Sequence, residues 1–510
     1  MSKKLLAILI LAASTTGCAV NPVTGKSDFM MVSEAQEIAL GQQNYAPMQQ
    51  AEGGVYDIDP QLTAYVRDVG SKLAEVSDRP LPYEFVVLNN SVPNAWALPG
   101  GKIAINRGLL TELNSEAELA AVLGHEIVHA AAKHSAQQMS RGMLLQGAVL
   151  ATAVATANSD FGEFAVGGAA VGAQLVNSTY GRSAELESDK YGMIYMSRAG
   201  YDPAGAVDLQ ETFVRLSEGR DTDWLSGFFA SHPPSRARVE ANRKTAATLP
   251  PGGTRGVDRY KAALQKTMAV KPAYDAYEEG LEALEDKRTS DALTFANKAI
   301  KLFPEEGHFY ALRGDARSVD GKHDQAVKEY NSAIRRRDDY FYYYLRRGIS
   351  QKELRRLDAA QSDLERSIEM FPTGPAYYVL GDIEASRGND RKAMEHYMVV
   401  AKSGGELGES ATRRLQRLQL PYSPGDIIPR RCDADSAGNL VVTVKNTTAW
   451  TIQDVQIEIR YTDSYERDRS IKQAIPGRIA PNETASINTR LGPFSGTTCP
   501  VEVVAARYAE

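Results

Sequence analysis

Leu119-Ala-Ala-Val-Leu-Gly-His-Glu-Ile-Val-His129 is an apolar run carrying the pattern His125-Glu126-Ile127-Val128-His129. As a helix it sets His125 and His129 four residues apart, so both imidazoles project from one face. That geometry suits two of the nitrogen ligands of a tetrahedral zinc ion. Glu126 stands one residue on, along the same rim, where a carboxylate can take a proton from a zinc-activated water. A helix that simply happens to contain two histidines reads the same way, so the rest of the chain has to supply the context.

Downstream, the spacing in Ser183-Ala184-Glu185-Leu186-Glu187-Ser188-Asp189 puts Glu185 and Asp189 on one helical face. A carboxylate ligand and an orienter for an imidazole need that placement, although an acidic helix surface gives the same pattern. Ser231-His232-Pro233-Pro234-Ser235-Arg236-Ala237-Arg238 opens another helix after a proline-fixed turn. Upstream, Asn94-Ala95-Trp96-Ala97-Leu98-Pro99-Gly100-Gly101 turns into Lys102-Ile103-Ala104-Ile105-Asn106, where alternation predicts a half-buried strand. Beside a cleft such a strand can pair with an extended peptide, which makes Asn94, Lys102, Ile103, Ala104 and Ile105 candidate substrate-binding residues. An ordinary edge strand is the alternative. Ser33 reads as the N-cap of a helix running toward Leu40, and residues 60–76 as a second helix. Residues 143–157 and 164–176 carry no charge, yet each stretch is shorter than the roughly 20 residues a spanning helix needs. A helical hairpin of small residues over the active site is the expectation there.

Taken in order, these motifs resemble the HtpX and CAAX-prenyl-protease type of gluzincin zinc metallopeptidase. The resemblance covers about residues 30–245 and implies a mainly helical α+β zincin-type domain. It implies one zinc ion per chain held by His125, His129 and Glu185, with Glu126 as general base and Asp189 bonded to a liganding histidine. Glu187 falls outside the family's ligand position. The resemblance also puts His232 close to the metal, where a histidine can fill the fourth position and hold a protease latent. His232 and Arg238 are otherwise the candidates for stabilising a developing oxyanion.

The chain has 510 residues, enough for about three domains, with an ordinary 43% hydrophobic and 24% charged composition. A net charge of −6 indicates neither a nucleic-acid binder nor a polybasic membrane protein. Lys3-Lys4, an apolar run and Ser14-Thr15-Thr16-Gly17-Cys18 resemble a bacterial lipoprotein signal, which implies cleavage after residue 17, lipid on Cys18, and a periplasmic, outer-membrane-anchored protein. Ordinary signal-peptide cleavage is the alternative. If Cys18 carries lipid, Cys432 and Cys499 remain as a disulfide pair in an oxidising compartment.

A 34-residue period marks the second half: Gly280, Gly314 and Gly348; Ala292, Ala326 and Ala360; Ile300, Ile334 and Ile368. Small residues where helices cross, with breakers at Pro304, Asp338 and Pro372, are the signature of tetratricopeptide repeats. Alternating runs from residue 426 onward predict a small β-sandwich of immunoglobulin-like size. The expected layout is a signal (1–17), a tether (18–32), a peptidase domain (33–250), a linker (251–272), about four repeats (273–404), a second linker (405–425) and the sandwich (426–510). Arg335-Arg336-Arg337 and Arg346-Arg347 read as solvated helix surface or as a patch for acidic partners, and some of Tyr340 to Tyr344 as groove lining.

A peptidase followed by such repeats resembles the periplasmic proteases of β-barrel assembly. That implies hydrolysis of misfolded or stalled outer-membrane proteins and contact with the barrel-assembly machinery through the repeats. An assembly scaffold with a latent or vestigial peptidase is the reading from another class, and an intact base at Glu126 speaks against it.

Overall fold

The computed structural model describes residues 18–146, 180–219, 232–462, 467–492 and 499–509. The expected signal peptide and the expected glycine- and alanine-rich hairpin beyond residue 146 lie outside the described residues. Among the described residues no helix is long and apolar enough to cross a membrane. The chain divides between Ala376 and Tyr377 into two compact units.

The first unit begins with a hairpin, β1 (Cys18–Val20) and β2 (Ser27–Phe29), paired antiparallel. Residues 18–32 are therefore not a free tether. Val23 and Met30 are buried, the Met31 amide donates to Ser140 Oγ (2.9 Å), and Gln137 donates to Asp28 (3.0 Å). Helices α1 (Glu34–Ala51) and α2 (Pro60–Ala74) follow. Ser33 and Gln36 cap α1 reciprocally, each side chain bonding the other's amide.

Strands β3 (Glu84–Leu88), β4 (Ala95–Leu98) and β5 (Lys102–Asn106) form one sheet in the order β3-β5-β4. β5 is parallel to β3 and antiparallel to β4, so its main chain is paired on both sides. This corrects the expectation that Lys102, Ile103, Ala104 and Ile105 offer an edge to substrate. Lys102 is ion-paired with Glu84, and all four residues are at most 2% exposed. β3 and β4 are the edges of this sheet, and Ala95–Leu98 of β4 are likewise at most 5% exposed.

Helix α3 (Glu116–Ala131) carries the His-Glu-x-x-His pattern and is buried along its whole length. Ser115 caps it by accepting the Glu118 amide. In its first turn the Glu116 carboxylate accepts from Tyr65 (2.8 Å), Tyr201 (3.0 Å) and Arg259 (2.8 Å), the sign of charge a helix N-terminus favours. Around it lie α4 (His134–Gln146), α5 (Arg182–Arg198), α6 (Ala204–Gly219) and α7 (Arg236–Ala246).

Helix α8 (Val257–Glu285) is continuous for 29 residues and replaces the expected linker over 251–272. Tyr260 and Leu264, one turn apart, bury into the peptidase core, and the Tyr260 hydroxyl donates to the Leu110 carbonyl (2.6 Å). The same helix then enters the repeats: α9 (Thr289–Leu302), α10 (Gly307–Val319), α11 (His323–Ile334), α12 (Phe341–Glu353) and α13 (Leu357–Met370). The periodic glycines lie at tight crossings; a Cβ on Gly314 would stand 2.7 Å from the Tyr330 ring. Arg335 and Arg336 are exposed, while the other arginines of the two runs are partly or fully buried in ion pairs and hydrogen bonds. Arg346 pairs with Asp315, Arg347 with Asp363, and buried Arg337 donates to the Val55 carbonyl (2.6 Å). Tyr340 and Tyr343 are core.

The second unit contains α14 (Gly374–Ser386) from Tyr377 onward, α15 (Asp390–Ala401) and α16 (Gly405–Gln419). Ala411 of α16 packs with Ala393, Tyr397 and Val400, and Leu420 enters the sandwich core, so residues 405–425 are structure and not linker. The sandwich has two antiparallel sheets. One is ordered β10-β7-β6, with β6 (Arg430–Ala434), β7 (Leu440–Lys445) and β10 (Thr484–Asn488). The other is ordered β11-β8-β9, with β8 (Ile452–Thr462), β9 (Asp468–Ile475) and β11 (Val501–Tyr508). A Cys432–Cys499 disulfide spans 67 residues, a closure that contributes about 4 kcal/mol on the chain-entropy model.

The repeats grip the peptidase domain through a buried polar knot. Glu306 accepts from Asn89 (2.8 Å), Tyr274 and the His308 amide, and His308 Nε2 meets the Gly53 carbonyl (3.0 Å). Gln50 bonds both the Asp339 carbonyl (2.8 Å) and the Phe341 amide (2.9 Å). Burial holds His308 below its usual pKa of 6.5, and Arg337 and Arg107 add to that against the opposing pull of Glu306. The unfolded chain therefore takes up a proton here before the folded one does. Stability is full above pH 6.5 and falls as pH drops below it. Protection factors of the amides of residues 50–55, with the intrinsic pH dependence of exchange divided out, are expected to fall between pH 7.5 and 5.5, and a His308→Gln variant to show a smaller change.

Candidate metal centre

Helix α3 presents His125, Glu126 and His129, and α5 crosses it closely enough to bring Glu185 and Asp189 alongside. The crossing is made by two glycines. A Cβ on Gly192 would lie 3.0 Å from the His125 nitrogen, and one on Gly124 would lie 3.1 Å from the Gly192 oxygen. His232 stands just before α7, fixed by Pro233, and Arg238 sits in the first turn behind its Ser235 cap.

The structure brings four of these side chains to a point. His125 Nε2 is 3.0 Å from His129 Nε2 and 3.2 Å from His232 Nδ1. Glu185 oxygens lie 3.0 Å from His232 Nδ1, 3.4 Å from His129 Nε2 and 3.5 Å from His125 Nε2. All four are buried, and one donor atom from each lies within 4.8 Å of the others. His125 Nδ1 is 2.9 Å from Asp189 Oδ1, a carboxylate that can only accept, so Nδ1 carries a proton there and Nε2 faces the cluster. Converging nitrogen lone pairs 3.0 Å apart repel unless a cation lies between them. A tetrahedral ion with arms of about 2 Å has edges of about 3.3 Å, which fits this donor set.

The side chains set each other's charge. Burial alone would raise the Glu185 carboxyl, but His232, His125 and His129 outweigh it and hold it far below the usual range. Burial pushes His129 well below its usual value. His232 is raised, because Glu185 and Glu126 overcome the effect of burial. Glu126 is itself raised by burial. Neither Glu126 oxygen has a hydrogen bond among the described residues, and the nearest cationic group is His232 Nε2 at 3.6 Å.

Arg238 is not available to an oxyanion. Its Nε and one Nη donate to the two Asp189 oxygens (2.7 Å each), while the other Nη serves Glu185 (2.9 Å) and the Pro233 carbonyl (3.2 Å). It orients the two carboxylates and balances their buried charge, replacing the catalytic role expected from sequence. Asn94 immediately precedes the edge strand β4, and its buried Oδ1 has no hydrogen-bond partner among the described residues. Glu187 faces away from the cluster, toward His134 (3.3 Å) and Asn21 (3.1 Å).

Sequence reasoning missed His134 and Tyr180. Tyr180 stacks on the His129 ring, centroids 3.9 Å apart, and bonds Ser135 (2.8 Å). His134 Nδ1 lies 3.0 Å from His129 Nδ1. Five residues along a continuous helix is a rotation of about 140° from the ligand face, which hides such a residue in the pattern. Lys133, at φ 62°, breaks the helix and swings His134 back.

Residues 60–246 match peptidase family M48, and residues 277–340 and 345–405 match the tetratricopeptide repeat. A β-barrel assembly-enhancing protease of Yersinia pestis is 27% identical over 258 residues, covering 49% of this chain and 52% of its own. The metalloprotease YcaL of Escherichia coli (strain K12) is 28% identical over 264 residues, 48% of this chain and 98% of its own. The mitochondrial metalloendopeptidase OMA1 of Schizosaccharomyces pombe is 34% identical over 190 residues, 37% of this chain and 53% of its own. The chain spans about half the length of the β-barrel assembly-enhancing proteases it matches. Residues 60–246 are thus a peptidase family M48 domain, and tetratricopeptide repeats follow it.

Proposed function

We propose that the chain is a zinc-dependent endopeptidase of the bacterial cell envelope, with His125, His129 and Glu185 as the protein ligands of one zinc ion. The observation that carries this reading is the convergence of three imidazoles and a carboxylate beside a buried, unbonded Glu126. Bound zinc would supply Lewis-acid polarisation of a scissile carbonyl and acidify a water. Glu126, raised by burial, then accepts the proton of the attacking water and passes it to the leaving amine. Asp189, locked by Arg238, holds the His125 ring with its Nε2 inward. The sheet edge formed by β4, which begins just after Asn94 and is buried in this conformation, is where an extended peptide can add main-chain hydrogen bonds once it is uncovered.

His232 closes this site. Its Nδ1 takes a corner of the donor cluster while its Nε2 faces Glu126, so one imidazole covers both the fourth position and the base. The cavity bordering Glu126 is about 20 Å³, room for about one water and not for a substrate side chain. Substrate entry therefore requires His232 to leave. The clients are proteins of the envelope, outer-membrane proteins among them, reached from a lipid anchor on Cys18. The likeness to the Yersinia pestis β-barrel assembly-enhancing protease supports this, as do the repeats, whose stacked helix pairs offer a binding surface.

Glu126→Gln is expected to lower hydrolysis of a fluorescent casein by about 10²–10⁴-fold with zinc content unchanged. Wild-type protein purified without zinc, or a Glu126→Gln variant of full activity, removes the reading. His232→Ala is expected to raise basal hydrolysis above that of the wild type. A fall as deep as that of Glu126→Gln would make His232 catalytic and not a closing group.

A further inference from the structure

The two histidines of α3 are oriented differently. His125 Nδ1 meets a carboxylate directly, whereas His129 Nδ1 meets a third imidazole, His134 Nδ1, at 3.0 Å. Beyond it, His134 Nε2 lies 3.3 Å from Glu187 Oε1, and the same oxygen accepts from Asn21 Nδ2 at 3.1 Å. Asn21 belongs to the N-terminal hairpin and is buried. The orientation of its amide is set, because Oδ1 already accepts the Val23 (3.0 Å) and Thr24 (3.2 Å) amides, leaving Nδ2 to face Glu187.

We propose that His134 is a positioning residue for His129, and that through Glu187 and Asn21 it makes the N-terminal hairpin part of the support of the metal site. Only one arrangement of protons satisfies the whole series. His129 must keep Nε2 free to face the cluster, so its proton sits on Nδ1 and is donated to His134 Nδ1. That nitrogen must then accept, which puts the His134 proton on Nε2, where it is donated to Glu187. Glu187, an acceptor only, ends the series and receives the Asn21 amide as well. The sequence of bonds fixes both the tautomer and the ring plane of His129, and the Tyr180 ring stacked on it blocks rotation. Outer partners of a liganding histidine are commonly a carboxylate, a carbonyl or water; here an imidazole extends the reach of a carboxylate that α5 cannot bring closer.

The proposal rests on the zinc-site reading, and the test separates the two. Full-length apo-protein is titrated with zinc against a competing chelator. His134→Leu is expected to weaken zinc binding by about 10–100-fold, the range measured when such partners are removed. His134→Asn, which keeps an acceptor near the position of Nδ1, is expected to stay within about threefold of wild type, and Asn21→Ala to weaken binding by about threefold. If His134→Leu fails to fold, the Asn21→Ala shift decides in its place. Zinc affinity unchanged in both His134→Leu and Asn21→Ala, or lost equally in His134→Leu and His134→Asn, overturns the positioning role. A wild-type chain that takes up no zinc overturns the metal site itself and this proposal with it.

Discussion

α3 and α5 approach as closely as they do because both place glycine at the crossing. Any side chain on Gly192 would press on the His125 backbone, and any on Gly124 would press on Gly192. With backbones in contact there, Asp189 and Glu185 lie about one and two turns before Gly192 on the same face, level with the two histidines. Every distance in the donor cluster inherits that spacing. A methyl group at the crossing would move the α5 carboxylates away from α3 by a few tenths of an ångström or more, and a metal site tolerates only about 0.2 Å.

The same closeness concentrates charge. Glu126, Glu185, Asp189, three histidines and Arg238 are all buried within one small volume. Carboxylates in such surroundings persist only with partners, and the partners are unequal. Asp189 and Glu185 share the Arg238 guanidinium and the imidazoles, which keeps both ionised. Glu126 has only the more distant His232 Nε2 at 3.6 Å, and burial outweighs it and raises its proton affinity. Two kinds of carboxylate a few ångströms apart, one fixed as an anion and one able to hold a proton, are the division of labour a hydrolytic site needs. The role of Arg238 follows from that division: its charge is what allows the other two to remain charged.

Much of this was legible in sequence because it depends on local periodicity. The i, i+4 spacings of His125 with His129 and of Glu185 with Asp189 survive translation into structure, since a helix preserves them. The 34-residue glycines were legible for a similar reason, because each marks a crossing such as Gly314 against Tyr330. Strand order is different. Lys102 to Ile105 alternate as an edge strand would, yet their place at the centre of the sheet is decided by β3, which joins from the other side. Residues 251–272 read as a linker in sequence, yet Tyr260 and Leu264 stand one helical turn apart and Pro272 is accommodated inside α8. His134 needed the left-handed turn at Lys133, which no pattern in the chain announces.

The repeats do part of their work before any client arrives. Glu306, His308 and Arg337 bond Asn89, Gly53 and Val55, and Gln50 of α1 reaches the Asp339 carbonyl, with the Arg107 guanidinium 3.5 Å above the Tyr274 ring in the same knot. α1 in turn packs backbone to backbone on the turn between β4 and β5: a Cβ on Gly41 would overlap the Pro99 carbonyl, and one on Gly100 would crowd Ile38. Helices that touch without intervening side chains have little freedom to slide. The repeats therefore brace the helix that braces the turn at the end of the edge strand β4. Of the tyrosines and arginines that look like a recognition surface in sequence, Arg337 belongs to this brace, Tyr340 and Tyr343 are buried, and Arg346 and Arg347 pair with Asp315 and Asp363 of the repeats.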